Sequence, residues 1–254
     1  MKTRFFFDVE AQSLHGEGFA YGYVVVNVNE ATKEFTILEK GECYSVLGAK
    51  EATNWVKENV IPSLTLLTPY LEKDLSTLNT SSLPSEIVIS TKDLRDNFYK
   101  IYTKWKKQGA EFWSDVNFPV ETNFLSAIVK DGNSSRDWDM PYPLLDVSNF
   151  VNVNINRNQY SELTGLREHN PLDDSLASAY SLNKYEIELS IKNRRNLKSK
   201  EINQQTIDTI PSIPNVVTVI QNMGSPVYKA DNKVIQSQNN NPEASGVPLN
   251  KIII

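Results

Sequence analysis

The sequence predicts an α/β domain on a mixed β-sheet whose first three strands are antiparallel. Three apolar runs rich in β-branched and aromatic residues follow one another near the N-terminus with short connections, as in an antiparallel meander. Helix-like and strand-like patterns then alternate up to about residue 185. The 254 residues suffice for one sizeable core, or for a core plus an appendage.

Each predicted strand is a short apolar run that ends at polar or turn-forming residues. These strands lie at residues 4–10, 19–28, 35–46, 111–114 and 144–147. Gly16 and Gly18 mark the turn after the first of them. Because three phenylalanines precede Asp8, the first strand is expected to be central and buried.

Four helices are predicted from apolar residues at three- and four-residue spacing. They lie at residues 49–60, 91–108, 119–130 and from 170 onward. The second has the clearest apolar stripe, typical of core packing, formed by Leu94, Phe98, Ile101, Tyr102 and Trp105. Pro119 and Pro171 suit the first turn of their helices, and Asn170 suits an N-cap.

The composition changes after about residue 185. A basic run at 192–200 is followed by an amide-rich tract at 236–241 with neighbouring Pro and Gly. We therefore expect residues 1–185 to form the domain, and 186–254 to form a C-terminal extension, partly ordered around 216–220 and partly flexible. Because this extension could serve as a dimer arm, a homodimer is an open expectation.

Charge and cysteine content narrow the function classes. A net charge of −5 excludes a uniformly basic nucleic-acid-binding surface, so a polyanion would need a local basic patch. Cys43 is the only cysteine, which excludes an internal disulfide or a thiolate zinc site within one chain and suits a reducing cytosol. The apolar N-terminal run stops at Asp8, too early for a signal peptide or a membrane span. A cytoplasmic protein without a membrane partner is expected.

Four acids and one of the two histidines of the chain suggest metal-dependent hydrolysis. Alternation along the first strand places Asp8 and Glu10 on one face. Asp115 follows a later strand, and Asp174 lies one turn into a helix that His169 precedes. Hard cations such as Mg²⁺ prefer oxygen ligands, and a histidine can take a proton from water near neutral pH. Each acid alone also fits a strand end, a turn cap or a helix first turn, so the hypothesis depends on their joint occurrence.

Together these residues resemble the three motifs of the DEDDh 3′→5′ exonucleases, a ribonuclease H-like family that includes oligoribonuclease, ribonuclease T and proofreading subunits. The motifs are Asp8-x-Glu10, Asp115 within Ser114-Asp115-Val116-Asn117, and His169-x₄-Asp174. The third motif is the distinctive one, with Asp174 rather than Asp173 in the metal-ligand place. The resemblance covers about residues 1–185 and implies a ribonuclease H-like, five-stranded mixed sheet flanked by helices, with a C-terminal appendage.

The resemblance also implies a reaction. Two divalent cations, Mg²⁺ or Mn²⁺, would be held by the motif acids, which are Asp8, Glu10, Asp115 and Asp174. His169 would be the catalytic general base that accepts a proton from the attacking water. The enzyme would hydrolyse phosphodiester bonds at the free 3′ end of single-stranded RNA or DNA and release nucleoside 5′-monophosphates.

Substrate contacts depart from the family pattern. Family members often carry Thr or Thr-Gly after the motif glutamate, whereas this chain has Ala11-Gln12-Ser13. Candidate contacts are Ala11, His15 in its glycine-flanked loop, and Arg194 and Arg195 of the basic run. A loop histidine and a solvated helix face are the ordinary alternatives. Two other functions stay open: a non-catalytic nucleic-acid-binding or interaction module on the same fold, and an internally cutting nuclease of the wider group.

Overall fold

This computed structural model describes residues 1–140 and 143–209, and the predictions for 216–220 and 236–241 lie outside that range. Met1–Lys200 form one compact unit, and a second unit begins at Glu201. The strands are β1 (Lys2–Ala11), β2 (Gly18–Val28), β3 (Phe35–Ser45), β4 (Ile87–Val88), β5 (Glu111–Ser114) and β6 (Leu144–Asp146). The helices are α1 (Val46–Lys50), α2 (Asn54–Asn59), α3 (Thr68–Leu71), α4 (Thr91–Lys107), α5 (Thr122–Asp131), α6 (Val153–Gln159) and α7 (Pro171–Thr209).

The sheet is mixed, with strand order β4-β3-β2-β1-β5-β6. The predicted antiparallel meander is confirmed for β1, β2 and β3, and the other neighbouring pairs are parallel. The described part of the sheet contains six strands rather than the predicted five. The additional strand, β4, is two residues long and pairs with Tyr44 and Ser45. A run of that length is too short to show a period of two in the sequence.

The sheet separates two hydrophobic layers. Phe5, Phe7 and Val9 of β1 pack in a cluster with the apolar stripe of α4 and with α5. Phe6 points to the opposite face, where it packs in a cluster with Leu176 of α7. Because side chains alternate along a strand, the residues that follow Phe6 on its face of β1 are Asp8 and Glu10. The strand therefore directs its two acids toward the α7 side of the sheet.

The predicted helix over residues 49–60 is wrong in its bounds. Ser45 ends β3 and caps α1 by accepting from the Gly48 N–H, and Thr53 caps α2 by accepting from the Val56 N–H. Short hydroxyl side chains that bond the backbone locally favour a new helix start over continuation. The helix predicted over residues 119–130 corresponds to α5 and begins later, at Thr122. A distorted turn at Asn117–Glu121 precedes it.

The predicted domain boundary at residue 185 falls within α7, which begins at Pro171 as expected and continues to Thr209. The boundary stays a prediction. Helix α6 was not predicted, since Val153–Gln159 is rich in asparagine, a weak helix former. Among the helices in the described ranges, none has both the length and the apolar run that a membrane crossing needs.

Candidate functional site

The start of α7 packs directly on the backbone of β2 beside Asp8. Gly22 pairs with Asp8 in the antiparallel register of β1 and β2. A Cβ atom added at Gly22 would lie 2.1 Å from the backbone nitrogen of Leu172. The Ser175 hydroxyl also donates to the Gly22 carbonyl at 3.0 Å. Only glycine permits this approach, which brings the first turn of α7 to the acids of β1.

The two consecutive acids of α7 have different partners. The Asn170 side chain accepts from the Asp173 N–H at 3.0 Å, which is the capping contact predicted for this asparagine. The Asp173 carboxylate accepts from Arg167, at 3.1 Å from the backbone nitrogen and 2.8 Å from Nε. Asp174 instead lies in the lining of a cavity with the acids of β1.

Asp8, Glu10 and Asp174 form a compact carboxylate triad. One oxygen from each lies within 4.8 Å of the others, so the triad could hold a metal ion. Carboxylate oxygens are the ligands that Mg²⁺ and Mn²⁺ prefer. The donor chemistry and the spacing of the triad therefore fit a divalent cation.

The triad lines a cavity of about 430 Å³ between the end of β1, the turn after β5 and the start of α7. Its lining consists of Asp8, Val9, Glu10, Leu14, Asp115, Val116, Phe118, Pro119, Val120, Glu121, Asn154, Glu168, His169 and Asp174. Asp115 therefore faces the same cavity as the triad, although it is not a member of the 4.8 Å cluster.

Glu121 is an acid of this cavity that the sequence did not reveal. It is only 5% exposed and lies where the distorted turn before α5 meets β1. Its one sequence signal is an acid at the start of an apolar helix, which is an ordinary first-turn pattern. Its position depends on the turn geometry at Phe118, whose φ and ψ of −120° and 139° are extended.

Burial and mutual repulsion raise the pKa values of the cavity acids. Burial, followed by the charge of Asp115, raises the pKa of Asp8 to about 7. Burial and the charge of Asp146 raise the pKa of Asp115 to about 6. The pKa values of Glu10 and Glu121 lie well above their ordinary range, mainly through burial and secondarily through Asp8. Such a cluster favours cations because each bound positive charge relieves the repulsion.

His169 stands at the open side of the cavity. Its Nδ1 lies 3.8 Å from Oε1 of Glu10, and its side chain is 44% exposed. The residue adopts a left-handed backbone with φ of 58°, and its carbonyl accepts from the Ser63 hydroxyl. The Trp55 ring packs edge-on against the imidazole, with centroids 6.0 Å apart. These contacts hold the imidazole beside the triad and in contact with solvent.

Large apolar side chains surround the acids on the solvent side. Phe118 is 70% exposed, and Leu14 and Val116 are exposed as well. All three line the cavity. An exposed apolar rim around charged groups is typical of a ligand-binding surface.

The four predicted substrate contacts do not line the cavity, and their role stays a prediction. Ala11 is buried at the end of β1, and His15 is exposed in the loop that follows. Arg194 and Arg195 are exposed on α7. The cavity lining includes none of these four residues. A basic residue that the sequence did not reveal, Arg157 of α6, instead donates to the Asp174 carboxylate.

Comparison with models of known protein families and with curated protein sequences finds no match to this chain. Function is therefore inferred from the geometry and chemistry of the cavity.

Proposed function

We propose that the protein is a metal-dependent 3′→5′ exonuclease with a ribonuclease H-like domain. It would hydrolyse phosphodiester bonds of single-stranded RNA or DNA and release nucleoside 5′-monophosphates. The observation that carries the proposal is the triad of Asp8, Glu10 and Asp174, whose oxygens converge within 4.8 Å next to His169. The order of the strands around a central β1 also supports it.

Five carboxylates divide between two cation sites in this proposal. Asp8, Glu10 and Asp174 would hold one Mg²⁺ or Mn²⁺, and Asp115 and Glu121, two of the three other acids that line the cavity, would be available for a second. When bound, a pair of such cations activates the attacking water and stabilises the leaving oxygen of a phosphodiester. Without the cations, the clustered negative charge would repel a phosphate.

His169 would act as the general base. Its imidazole reaches the cavity from the solvent side, where it can accept a proton from the attacking water and return it to bulk solvent. The Glu10 carboxylate, 3.8 Å from Nδ1, would stabilise the imidazolium that results. The cost of holding this residue at positive φ is consistent with a functional requirement for its position.

The apolar rim supports a single-stranded substrate. Leu14, Val116 and Phe118 offer exposed apolar surface next to the acids. A base of a single strand is free to stack on the Phe118 ring, which contributes about 1–3 kcal/mol, whereas bases within a duplex are covered by their neighbours.

A non-catalytic nucleic-acid-binding or interaction module on the same fold is the second candidate. The ion pair between Arg157 and Asp174 favours it, because this guanidinium neutralises part of the acid cluster without a metal. Such a module would use the same apolar rim but would leave its ligand intact.

A nuclease assay separates these functions. We expect single-stranded RNA or DNA with a 5′ label to give a ladder shortened from the 3′ end with Mg²⁺ or Mn²⁺, and to stay intact with EDTA. A 3′-blocked oligonucleotide and the Asp8→Asn variant are the controls, and both should stop shortening. Internal fragments from the blocked strand would indicate an internally cutting nuclease. Intact but bound strands would favour the non-catalytic module.

Removing the base should slow turnover more than it affects metal binding. We expect His169→Ala to lower the rate of 3′ shortening by about 10²-fold or more. Its affinity for Mn²⁺, measured by calorimetry, should remain at the wild-type value. His15→Ala, at the other histidine, is the matched comparison because that residue is not part of the cavity lining. Equal rates for His169→Ala and wild type would contradict the role given to His169.

A further inference from the structure

Arg157 is a buried cation with few partners. Its side chain is 8% exposed, and its Nη2 donates to Oδ1 of Asp174. Its Nε and Nη1 are buried and have no hydrogen-bond partner within the described part of the chain. A guanidinium carries five N–H donors, and leaving buried donors unpaired costs about 1–3 kcal/mol. Hydrogen bonding to the local scaffold therefore does not explain why an arginine occupies this position.

The surrounding negative charge explains why an arginine occupies position 157. The negative charges of Asp8, Asp115, Glu168 and Asp173 act on the guanidinium in addition to its ion pair with Asp174. Asp173 already pairs with Arg167, so the net negative charge lies on the cavity side. One turn earlier on α6, Asn154 lines the cavity itself. Helix α6 thus brings a single positive charge against the group of acids that would hold metal.

We propose that Arg157 is a resident counter-cation of the acidic cavity, and that a divalent cation displaces its guanidinium from Asp174. The inference rests on the proposed metal site. One observation and one physical argument indicate that the metal ion replaces the guanidinium at Asp174 and does not bind beside it. The Arg157 contact occupies Asp174, one of the three triad members. A guanidinium and a divalent cation on one half-buried carboxylate also repel each other, by several kcal/mol at an effective dielectric constant of about 20.

Exchange gives Arg157 two opposing effects. In the metal-free protein its positive charge stabilises carboxylates that would otherwise repel one another. During metal binding it competes for Asp174 and lowers the affinity. A protein with a neutral polar side chain at this position should therefore bind metal more tightly and be less stable without metal. A residue that only oriented Asp174 for the metal would have the opposite effect on affinity.

Mn²⁺ titration of the full chain tests the proposal by calorimetry, with no nucleic acid present. We expect Arg157→Gln to bind Mn²⁺ about tenfold more tightly than wild type, and its metal-free melting temperature to fall. Arg157→Lys keeps the charge and should stay close to wild type. Arg136→Gln is the matched control, because it removes a half-buried arginine that pairs with Asp96 of α4; its Mn²⁺ affinity should not change.

The wild-type protein provides a second measurement that needs no variant. The Arg157 Nε–H resonance, assigned by NMR, should shift when Mg²⁺ saturates the protein, because the guanidinium leaves the Asp174 carboxylate. A resonance unaffected by Mg²⁺ would overturn the proposal, as would unchanged or weaker Mn²⁺ binding by Arg157→Gln. If wild type binds Mn²⁺, either result leaves the proposed function standing. Absence of Mn²⁺ binding by both proteins would overturn both.

Discussion

Replacing Asp8 with asparagine is expected to stabilise the metal-free protein at pH 8 and to remove metal-dependent hydrolysis. Asp8 lies at the centre of the acidic cavity, where burial and Asp115 raise its pKa to about 7. Asparagine has nearly the same shape as the protonated acid but does not ionise. The variant therefore avoids the cost of burying a charge and the repulsion from Asp115, but it also loses a ligand of the triad. We expect hydrolysis to fall by about 10³-fold or more, equivalent to about 4 kcal/mol.

The raised pKa of Asp8 determines how the stability of the folded protein changes with pH. The folded protein holds the Asp8 proton more tightly than the unfolded chain, where the pKa is 3.8. Asp8 therefore destabilises the fold increasingly as pH rises from about 4 to about 7, and fully above pH 7. A shift of this size corresponds to at most about 4 kcal/mol, at 1.36 kcal/mol per pKa unit. The variant Asp8→Asn should thus be more stable than wild type at pH 8, and this difference in stability should disappear below pH 4.

Thermal unfolding of both proteins in EDTA, at several pH values, measures this effect. We expect Asp8→Asn to melt about 5–10 °C above wild type at pH 8. Added Mn²⁺ should raise the melting temperature of wild type more than that of the variant, because only wild type retains the complete triad. Equal melting temperatures in EDTA at pH 8 would show that Asp8 carries no repulsive charge in the folded protein.

Local patterns predicted much of the fold. The meander β1–β3 followed from long apolar runs rich in aromatic and β-branched residues, and helix α4 followed from its apolar stripe. Strand β4 and the break between α1 and α2 did not, because the first is two residues long and the second depends on the capping hydroxyl of Thr53. Pairing and capping in such short segments are decided by tertiary contacts and single hydrogen bonds, which leave no period in the sequence.

The residues of the cavity likewise include some that local sequence patterns predicted and some that they did not. Asp8 and Glu10 could be placed on one face because a strand alternates, and Asp174 because Asn170 and Pro171 fix the start of α7. Glu121 and Arg157 could not be found, because a distorted turn and an asparagine-rich helix bring them to the acids. Arg194 and Arg195 were suggested only by a basic run, they are exposed on α7, and their proposed contact with substrate stays a prediction.

A methyl group at Gly22 should disrupt both the fold and the cavity. In Gly22→Ala the new Cβ would lie 2.1 Å from the Leu172 nitrogen and 2.2 Å from the Pro171 carbonyl carbon. Both are backbone atoms, so no side-chain rotation relieves the contact and α7 must move away from β2. Overpacking of this kind costs about 3 kcal/mol or more. The movement would also carry Asp174 away from Asp8, which pairs with Gly22 across the sheet.

Urea unfolding and Mn²⁺ titration separate the two effects of Gly22→Ala. We expect a lower unfolding midpoint, together with weaker Mn²⁺ binding and about 10²-fold slower hydrolysis in molecules that remain folded. Gly41→Ala is the matched control, because the atoms nearest to a Cβ at this position of β3 would be side-chain atoms of Tyr23, at 2.9 Å or more, and not backbone atoms. Wild-type Mn²⁺ affinity in folded Gly22→Ala would show that the triad does not depend on how closely α7 packs against β2.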